Sequence, residues 1–117
     1  MIKLKKTSML KKNYEFKKVL TSGKYWGGNY LDIFIMKNNF NTNMLGIAVG
    51  KKTGNSVKRN FIKRRIRENY RLLEEKIISG YSLVILWKKR NCNKDMAFFY
   101  IKNDMERILK KAKLLKE

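Results

Sequence analysis

Several residue types on which enzymes depend are missing or scarce in this chain of 117 residues. Histidine is absent, which excludes histidine-based acid–base catalysis and both Ser–His–Asp and Cys–His triads. The single cysteine, Cys92, excludes an internal disulfide and a Cys/His zinc site, and it fits a reducing cytoplasm. Proline is absent too, and no glycine- or serine-rich linker divides the chain. We therefore expect one domain over residues 1–117.

Long apolar segments are also missing. The run Leu83–Trp87 is far shorter than the roughly 20 residues that span a bilayer. The first twelve residues carry charges with no apolar stretch behind them, so we expect no secretory signal. These features predict a cytoplasmic protein without a membrane partner.

Acidic residues are few. The chain has 9 Asp and Glu against 29 Lys and Arg, a formal charge of +20, but 44% hydrophobic and 12% aromatic residues distinguish it from a disordered basic tail. Asp32 is the one acid at positions 17–66, so no carboxylate pair for two-metal hydrolysis is predicted there. Asp104 and Glu106, on a predicted helix, are expected to form surface ion pairs.

The positive charge is concentrated rather than spread. Residues 51–71 hold nine basic residues and a single acid, Glu68, and five of the seven arginines fall at positions 59–71. Arginine is the planar, bidentate partner of phosphate, so its clustering indicates a polyanion. A nucleic acid is the favoured partner, and an anionic membrane surface is the weaker alternative.

Periodicity and turn residues predict an α+β fold with the order α-β-β-β-α-β-α and a mainly antiparallel sheet. Residues 1–9 are expected to be a flexible basic N-terminus. The predicted elements are a helix over 14–21 capped by Asn13 and ended by Gly23, strands over 24–26, 30–37 and 44–50, a helix from Asn55 or Ser56 to about Ser79 with Gly80 behind it, a strand over 81–87, and a helix capped by Asn93 or Asp95.

The strands over 30–37 and 44–50 are predicted to form a hairpin through the loop 38–43. One face of this hairpin is aliphatic and should cover the core. The other combines Tyr30 and Phe34 with the small residues Gly46 and Ala48. Small residues beside aromatic rings form a shallow floor on which single-stranded RNA can stack. The alternative is that a second helix simply covers this face.

The segment 51–68 is the most informative in the chain. A helix N-terminus suits phosphate, and here basic residues both precede and follow it. A spacing of four residues places Arg59, Lys63 and Arg67 in a row that could follow a nucleic-acid backbone. The alternative is a solvated basic helix face.

This segment resembles the signature of the bacterial ribonuclease P protein family, which reads roughly K-K-x-G-N-A-V-x-R-N-R-x-K-R-x-x-R. Ser56 replaces the family's Ala, and Phe61 replaces the second Arg of its Arg-Asn-Arg, so no RNA contact is carried over to position 61. The stretch from Leu10 to Val19, followed by Gly23, resembles the family's first helix. The matching positions are Lys51, Lys52, Gly54, Asn55, Val57, Arg59, Asn60, Lys63, Arg64 and Arg67.

The resemblance implies a subunit of a ribonucleoprotein enzyme. In this family a catalytic RNA, with Mg²⁺ held by RNA, cleaves precursor tRNA to produce the mature 5′ end, and the protein carries no catalytic residues and requires no protein partner. The family's fold also contains a left-handed crossover around the long helix.

The resemblance further implies two RNA contacts. The basic helix and its preceding loop bind the catalytic RNA, and a cleft between the first helix and the sheet binds the 5′ leader of precursor tRNA. At the family's second aromatic position on that helix this chain has Leu20. Matching residues for the catalytic RNA are Lys51, Lys52, Asn55, Lys58, Arg59, Asn60, Lys63, Arg64 and Arg67, and those for the leader are Phe16, Lys17, Tyr30 and Phe34.

Two other classes remain open on the residues alone. A non-enzymatic RNA-binding protein, such as a ribosomal protein of similar fold, would use the basic helix equally well. A DNA-binding or nucleoid protein would also account for the charge.

Overall fold

The computed structural model describes residues 4–88 and 96–116. Its helices are α1 (Asn13–Ser22), α2 (Ser56–Leu73) and α3 (Ala97–Lys111), with 3₁₀ turns at Lys51–Thr53 and Glu74–Lys76. Its strands are β1 (Thr7–Met9), β2 (Lys24–Gly27), β3 (Leu31–Lys37), β4 (Asn43–Ala48) and β5 (Tyr81–Trp87). The α+β class is therefore confirmed, with one strand more than predicted at the N-terminus.

The five strands form one mixed sheet in the order β1-β4-β5-β3-β2. Seven β3–β5 and four β2–β3 residue pairs are antiparallel, whereas three β1–β4 and five β4–β5 pairs are parallel. The predicted hairpin of β3 and β4 is wrong because β5 lies between them. The unbroken apolar run of β5 suits a central strand buried on both faces. The connection β4–α2–β5 is the crossover that the family resemblance implies to be left-handed.

The main core lies between the sheet and the pair α2 and α3. The predicted aliphatic face of β3 and β4 is confirmed, since Leu31, Ile33 and Leu45 have no exposed surface. The apolar face of α2 packs onto it, with Ile66 and Tyr70 fully buried.

Helix α1 covers part of the opposite face, where Leu10, Val19 and Val84 form a second, smaller core. At Gly46 an added Cβ would lie 2.5 Å from Cε1 of Phe16. Glycine is needed there because the ring occupies the space where a side chain would stand.

Two predicted helix boundaries are wrong. Helix α2 ends at Leu73 rather than near Ser79, because the chain turns extended at Ile77, which pairs with Leu115 in an isolated bridge. Gly80, with φ of +99°, lies in the turn before β5 and does not end the helix. Asn13 is the first residue of α1 and not its cap.

The first turn of α1 is held by Glu15 instead. Its Oε1 accepts hydrogen bonds from the N–H groups of Lys12 at 2.9 Å and Lys11 at 3.2 Å. These bonds lower the pKa of the Glu15 carboxyl. Gly23 follows α1 as predicted, and its N–H donates to the carbonyl oxygen of Val19 at 2.8 Å.

Residues 4–9, the described part of the expected flexible arm, contact the sheet and α2. Over the described part of residues 1–9, strand β1 pairs in parallel with β4. The buried carboxylate of Glu74 accepts the N–H groups of Lys5 and Lys6 at 2.9 and 3.0 Å. The side chains of Thr7 and Tyr70 are joined by a 2.9 Å hydrogen bond. Hydrogen bonds from α2 and its C-terminal turn therefore hold this segment.

Asp104 forms an ion pair, as predicted, but its side chain is buried and not on the surface. Its Oδ2 accepts the N–H groups of Tyr30 at 2.5 Å and Leu31 at 3.0 Å, and its Oδ1 pairs with Arg107 at 2.8 Å. The predicted caps Asn93 and Asp95 lie outside the described residues. None of the described helices is both long enough and apolar enough to cross a bilayer.

Candidate nucleic-acid interface

The start of α2 is shaped by two adjacent residues. Asn55 is the cap, since its Oδ1 accepts the N–H of Lys58 at 2.9 Å. Gly54 has φ of +155° and ψ of −163°, a conformation almost restricted to glycine. Together they connect the 3₁₀ turn that carries Lys51 and Lys52 directly to the helix N-terminus.

Helix α2 separates its apolar and basic faces. Arg59 and Arg67 are half-buried, and the other seven residues predicted to bind the catalytic RNA are exposed. Across residues 4–88 and 96–116, the salt bridges are Arg65–Glu68, Lys88–Asp32 and Arg107–Asp104, none of which involves those nine residues. Their charge is therefore left for an external anion such as phosphate. The seven exposed residues are Lys51, Lys52, Asn55, Lys58, Asn60, Lys63 and Arg64.

Phe61, the departure from the family pattern, has a local partner. Its ring lies 4.8 Å from the guanidinium of Arg65, which also pairs with Glu68. One arginine of the cluster is thus held within the protein, and the row of Arg59, Lys63 and Arg67 runs beside it.

The strand register defines a surface that α1 leaves uncovered. In one row across the sheet, Tyr25 pairs with Phe34. In the next row Leu86 lies between Asp32 and Ala48. These five residues are half-buried or exposed, whereas Val84, beside Phe34, is buried under α1. We call Tyr25, Asp32, Phe34, Ala48 and Leu86 the open strip.

Two of the four predicted leader-binding residues, Phe16 and Phe34, lie at this surface. Phe16 and Phe34 belong to one apolar cluster with Leu86, with the Phe16 ring above Gly46. Lys17 is exposed on α1. The predicted cleft between helix and sheet therefore has an aromatic ring on each side.

Tyr30 does not share this surface, and its predicted alignment with Phe34 is wrong. It precedes β3, and its ring stacks on Tyr100 at 4.7 Å with an interplanar angle of 5°. A second, looser stack joins it to Trp87 at 6.0 Å. The bond from its N–H to Asp104 draws Tyr30 to the α3 side of the sheet.

Tyr25 is an aromatic residue of the strip that the sequence reasoning missed. Its ring lies 5.3 Å from that of Phe34, and its hydroxyl donates to Oδ1 of Asp32 at 2.8 Å. This bond raises the pKa of Tyr25. The Asp32 carboxylate also pairs with Lys88 at 3.0 Å, so its charge is balanced. Pairing the predicted strand over 24–26 with β3 would have placed Tyr25 beside Phe34.

The two surfaces are contiguous along the chain. Strand β4 contributes Ala48 to the open strip, and after Val49 and Gly50 the chain enters the 3₁₀ turn with Lys51 and Lys52. From there it passes through the Asn55 cap into the basic face of α2. The carboxyl end of β4 therefore joins one edge of the open strip to the basic segment along the chain.

A sheet face with paired aromatic rings, together with an arginine-rich helix whose predicted RNA-binding cations form no ion pair among the described residues, is typical of a small, basic RNA-binding protein. The comparisons with known proteins agree. The family model described as Ribonuclease P matches residues 4–113, so the chain belongs to the ribonuclease P protein family. That family supplies the protein subunit of bacterial ribonuclease P, which matures the 5′ end of tRNA, and its RNA partner is ribonuclease P RNA.

Individual relatives match along almost the whole chain. The ribonuclease P protein component of Natranaerobius thermophilus is 40% identical over 92% of both chains. That of Clostridium botulinum is 42% identical over 92% of this chain and 96% of its own. The structure of the Staphylococcus aureus RNase P protein superposes with a TM-score of 0.81 and 32% identity, covering 92% of this chain and 97% of that one.

Proposed function

We propose that the chain uses its two contiguous surfaces for two different RNAs. The basic face of α2 and the preceding turn bind the catalytic RNA, and the open strip with Phe16 binds the single-stranded 5′ leader of precursor tRNA. The observation that carries this proposal is the junction at the end of β4, where Ala48 of the strip is followed by Lys51 and Lys52. An RNA held on the helix face would bring a leader within reach of the strip.

The two surfaces differ in the chemistry they offer. The row Arg59, Lys63 and Arg67 offers charge, which binds phosphates without regard to sequence. Phe34 and Tyr25 offer ring surface at 5.3 Å from each other, on which unpaired bases can stack. Mature tRNA lacks the leader, so the strip would favour precursor tRNA over product.

We further propose that the catalytic groups belong to the RNA. Among the described residues, no three Asp, Glu, Cys or His side chains lie close enough together to hold a metal ion. The strip's one carboxylate, Asp32, is engaged by Tyr25 and Lys88. We also propose that the RNA holds the Mg²⁺, that the protein acts in the cytoplasm, and that it assembles with the RNA without a second protein.

Cleavage of a precursor tRNA tests it. The reaction is run at low Mg²⁺ with the chain alone, with a cognate catalytic RNA alone, and with both. Efficient 5′ cleavage only when both are present is expected. Cleavage by the protein alone, or no gain over the RNA alone, would contradict the proposal.

A further inference from the structure

We propose that a second groove, on the other side of α1 from the open strip, binds an unpaired base of single-stranded RNA. The groove has a volume of about 410 Å³ and lies between α1, the loop after β3 and the ends of strands β3, β4 and β5. We call it the loop-side groove. Its lining comprises Leu10, Tyr14, Glu15, Lys18, Val19, Met36, Lys37, Asn38, Asn39, Phe40, Met44 and Ser82.

The floor of the loop-side groove is apolar and adaptable. Met36 and Met44 are half-buried, and both belong to the smaller core with the buried Leu10 and Val19. Methionine is flexible and polarisable and makes favourable contacts with aromatic rings. A planar base can therefore lie on this floor without a preformed slot.

Two aromatic rings stand at the rim. The side chain of Tyr14 is 67% exposed and that of Phe40 is 61% exposed, although both line the same groove. Unpaired bases stack on exposed aromatic rings of this kind.

The loop that presents Phe40 is held firmly. The N–H of Asn38 donates to the carbonyl oxygen of Gly80 at 2.8 Å, and its Nδ2 donates to Oγ of Ser82 at 3.1 Å. Its Oδ1 accepts the N–H of Phe40 at 2.9 Å. The ring is thus offered to solvent from a fixed backbone, which lowers the entropy lost on binding.

The charges around the groove select RNA over an uncharged ligand. Lys18 and Lys37 are exposed in the lining, and Nζ of Lys12 lies 5.7 Å from the Tyr14 ring. The one acid among the described lining residues, Glu15, already accepts the backbone N–H groups of Lys11 and Lys12. The groove therefore combines stacking surface with cations for the flanking phosphates.

Binding of a ten-nucleotide oligouridine tests the proposal, with an abasic decamer of equal charge as the comparison. The measurements use full-length protein with Phe34→Ala, which weakens the open strip and leaves the groove intact. Adding Tyr14→Ala and Phe40→Ala should raise the Kd for oligouridine about fivefold to 150-fold per lost stack, since one stack contributes about 1–3 kcal/mol. The Kd for the abasic decamer should hardly change.

Phe99→Ala provides the matched control, because this ring is 52% exposed on α3 and does not line the groove. It should leave both affinities unchanged, and all variants should melt near the temperature of their parent. An unchanged Kd for oligouridine, or an equal loss for the abasic decamer, would overturn the proposal and leave the groove to a protein partner. Precursor tRNA affinity of the Phe34→Ala protein reports separately on the proposed leader site.

Discussion

Replacing Phe34 by alanine should separate leader binding from folding. The ring is half-buried and contacts Tyr25 at 5.3 Å on the open strip. A fully buried Phe→Ala change costs about 3–5 kcal/mol of unfolding free energy, so a half-buried ring should cost about 2 kcal/mol. Separately, the loss of one base stack should weaken the binding of precursor tRNA by about 1–3 kcal/mol, which raises its Kd about fivefold to 150-fold.

The assay measures the Kd of precursor tRNA and of mature tRNA for the particle reconstituted with each protein. Only the precursor affinity should fall for Phe34→Ala, because mature tRNA has no leader to stack. Val84→Ala is the matched control. It removes two methyl groups from a fully buried neighbour on the same face, at about 2 kcal/mol of stability, and exposes no stacking surface.

Equal losses for precursor and mature tRNA would refute this reasoning. So would a Val84→Ala protein that changes the ratio of the two affinities as much as Phe34→Ala does. In either case Phe34 would act through stability alone.

Three further predictions concern the rest of the molecule. Arg59→Ala with Lys63→Ala should weaken binding to the catalytic RNA and flatten its dependence on log salt by up to about two units without unfolding the chain, whereas an unchanged slope in a salt titration would reduce α2 to a solvated face. Burial raises the pKa of Tyr70 to about 12 from 10.0, so its contribution is complete below pH 10 and is lost as pH rises towards 12. Unfolding free energy should thus fall by about 2–3 kcal/mol over that window, and Tyr70→Phe should flatten the fall in urea titrations at each pH. Asp104→Ala leaves two backbone N–H donors at the start of β3 without an acceptor, so the unfolding free energy measured in urea should fall by about 2–5 kcal/mol. Asp104→Asn should recover part of this loss, and equal losses for the two variants would contradict the hydrogen-bond explanation.

Local patterns predicted the elements well where periodicity and turn residues agreed. Strand β5 was predicted to the residue, and the alternating faces of β3 and β4 are as expected. The cap at Asn55 and the buried stripe of α2 were also predictable, because both depend on neighbours within one or two helical turns.

The errors arose where distant contacts decide the structure. Insertion of β5 between β3 and β4 depends on parallel pairing that no local signal shows. Helix α2 stops early because Ile77 pairs with Leu115 near the other end of the chain. The buried carboxylates of Glu74 and Asp104 accept hydrogen bonds from backbone N–H groups about 70 residues away, so no local pattern marks either residue as buried.

The candidate site divides in the same way. The cations of α2 follow from helical spacing alone. To predict the open strip, two further facts are required. The register of β2 on β3 places Tyr25 in the strip, and the path of the chain before β3 places Tyr30 on the α3 side of the sheet.

The most direct test of the account compares precursor and mature tRNA binding to the same catalytic RNA, with and without this chain. The account predicts that the chain strengthens precursor binding and leaves mature tRNA binding nearly unchanged, because the added contacts are made to the leader. Equal strengthening of both, or of neither, would contradict it.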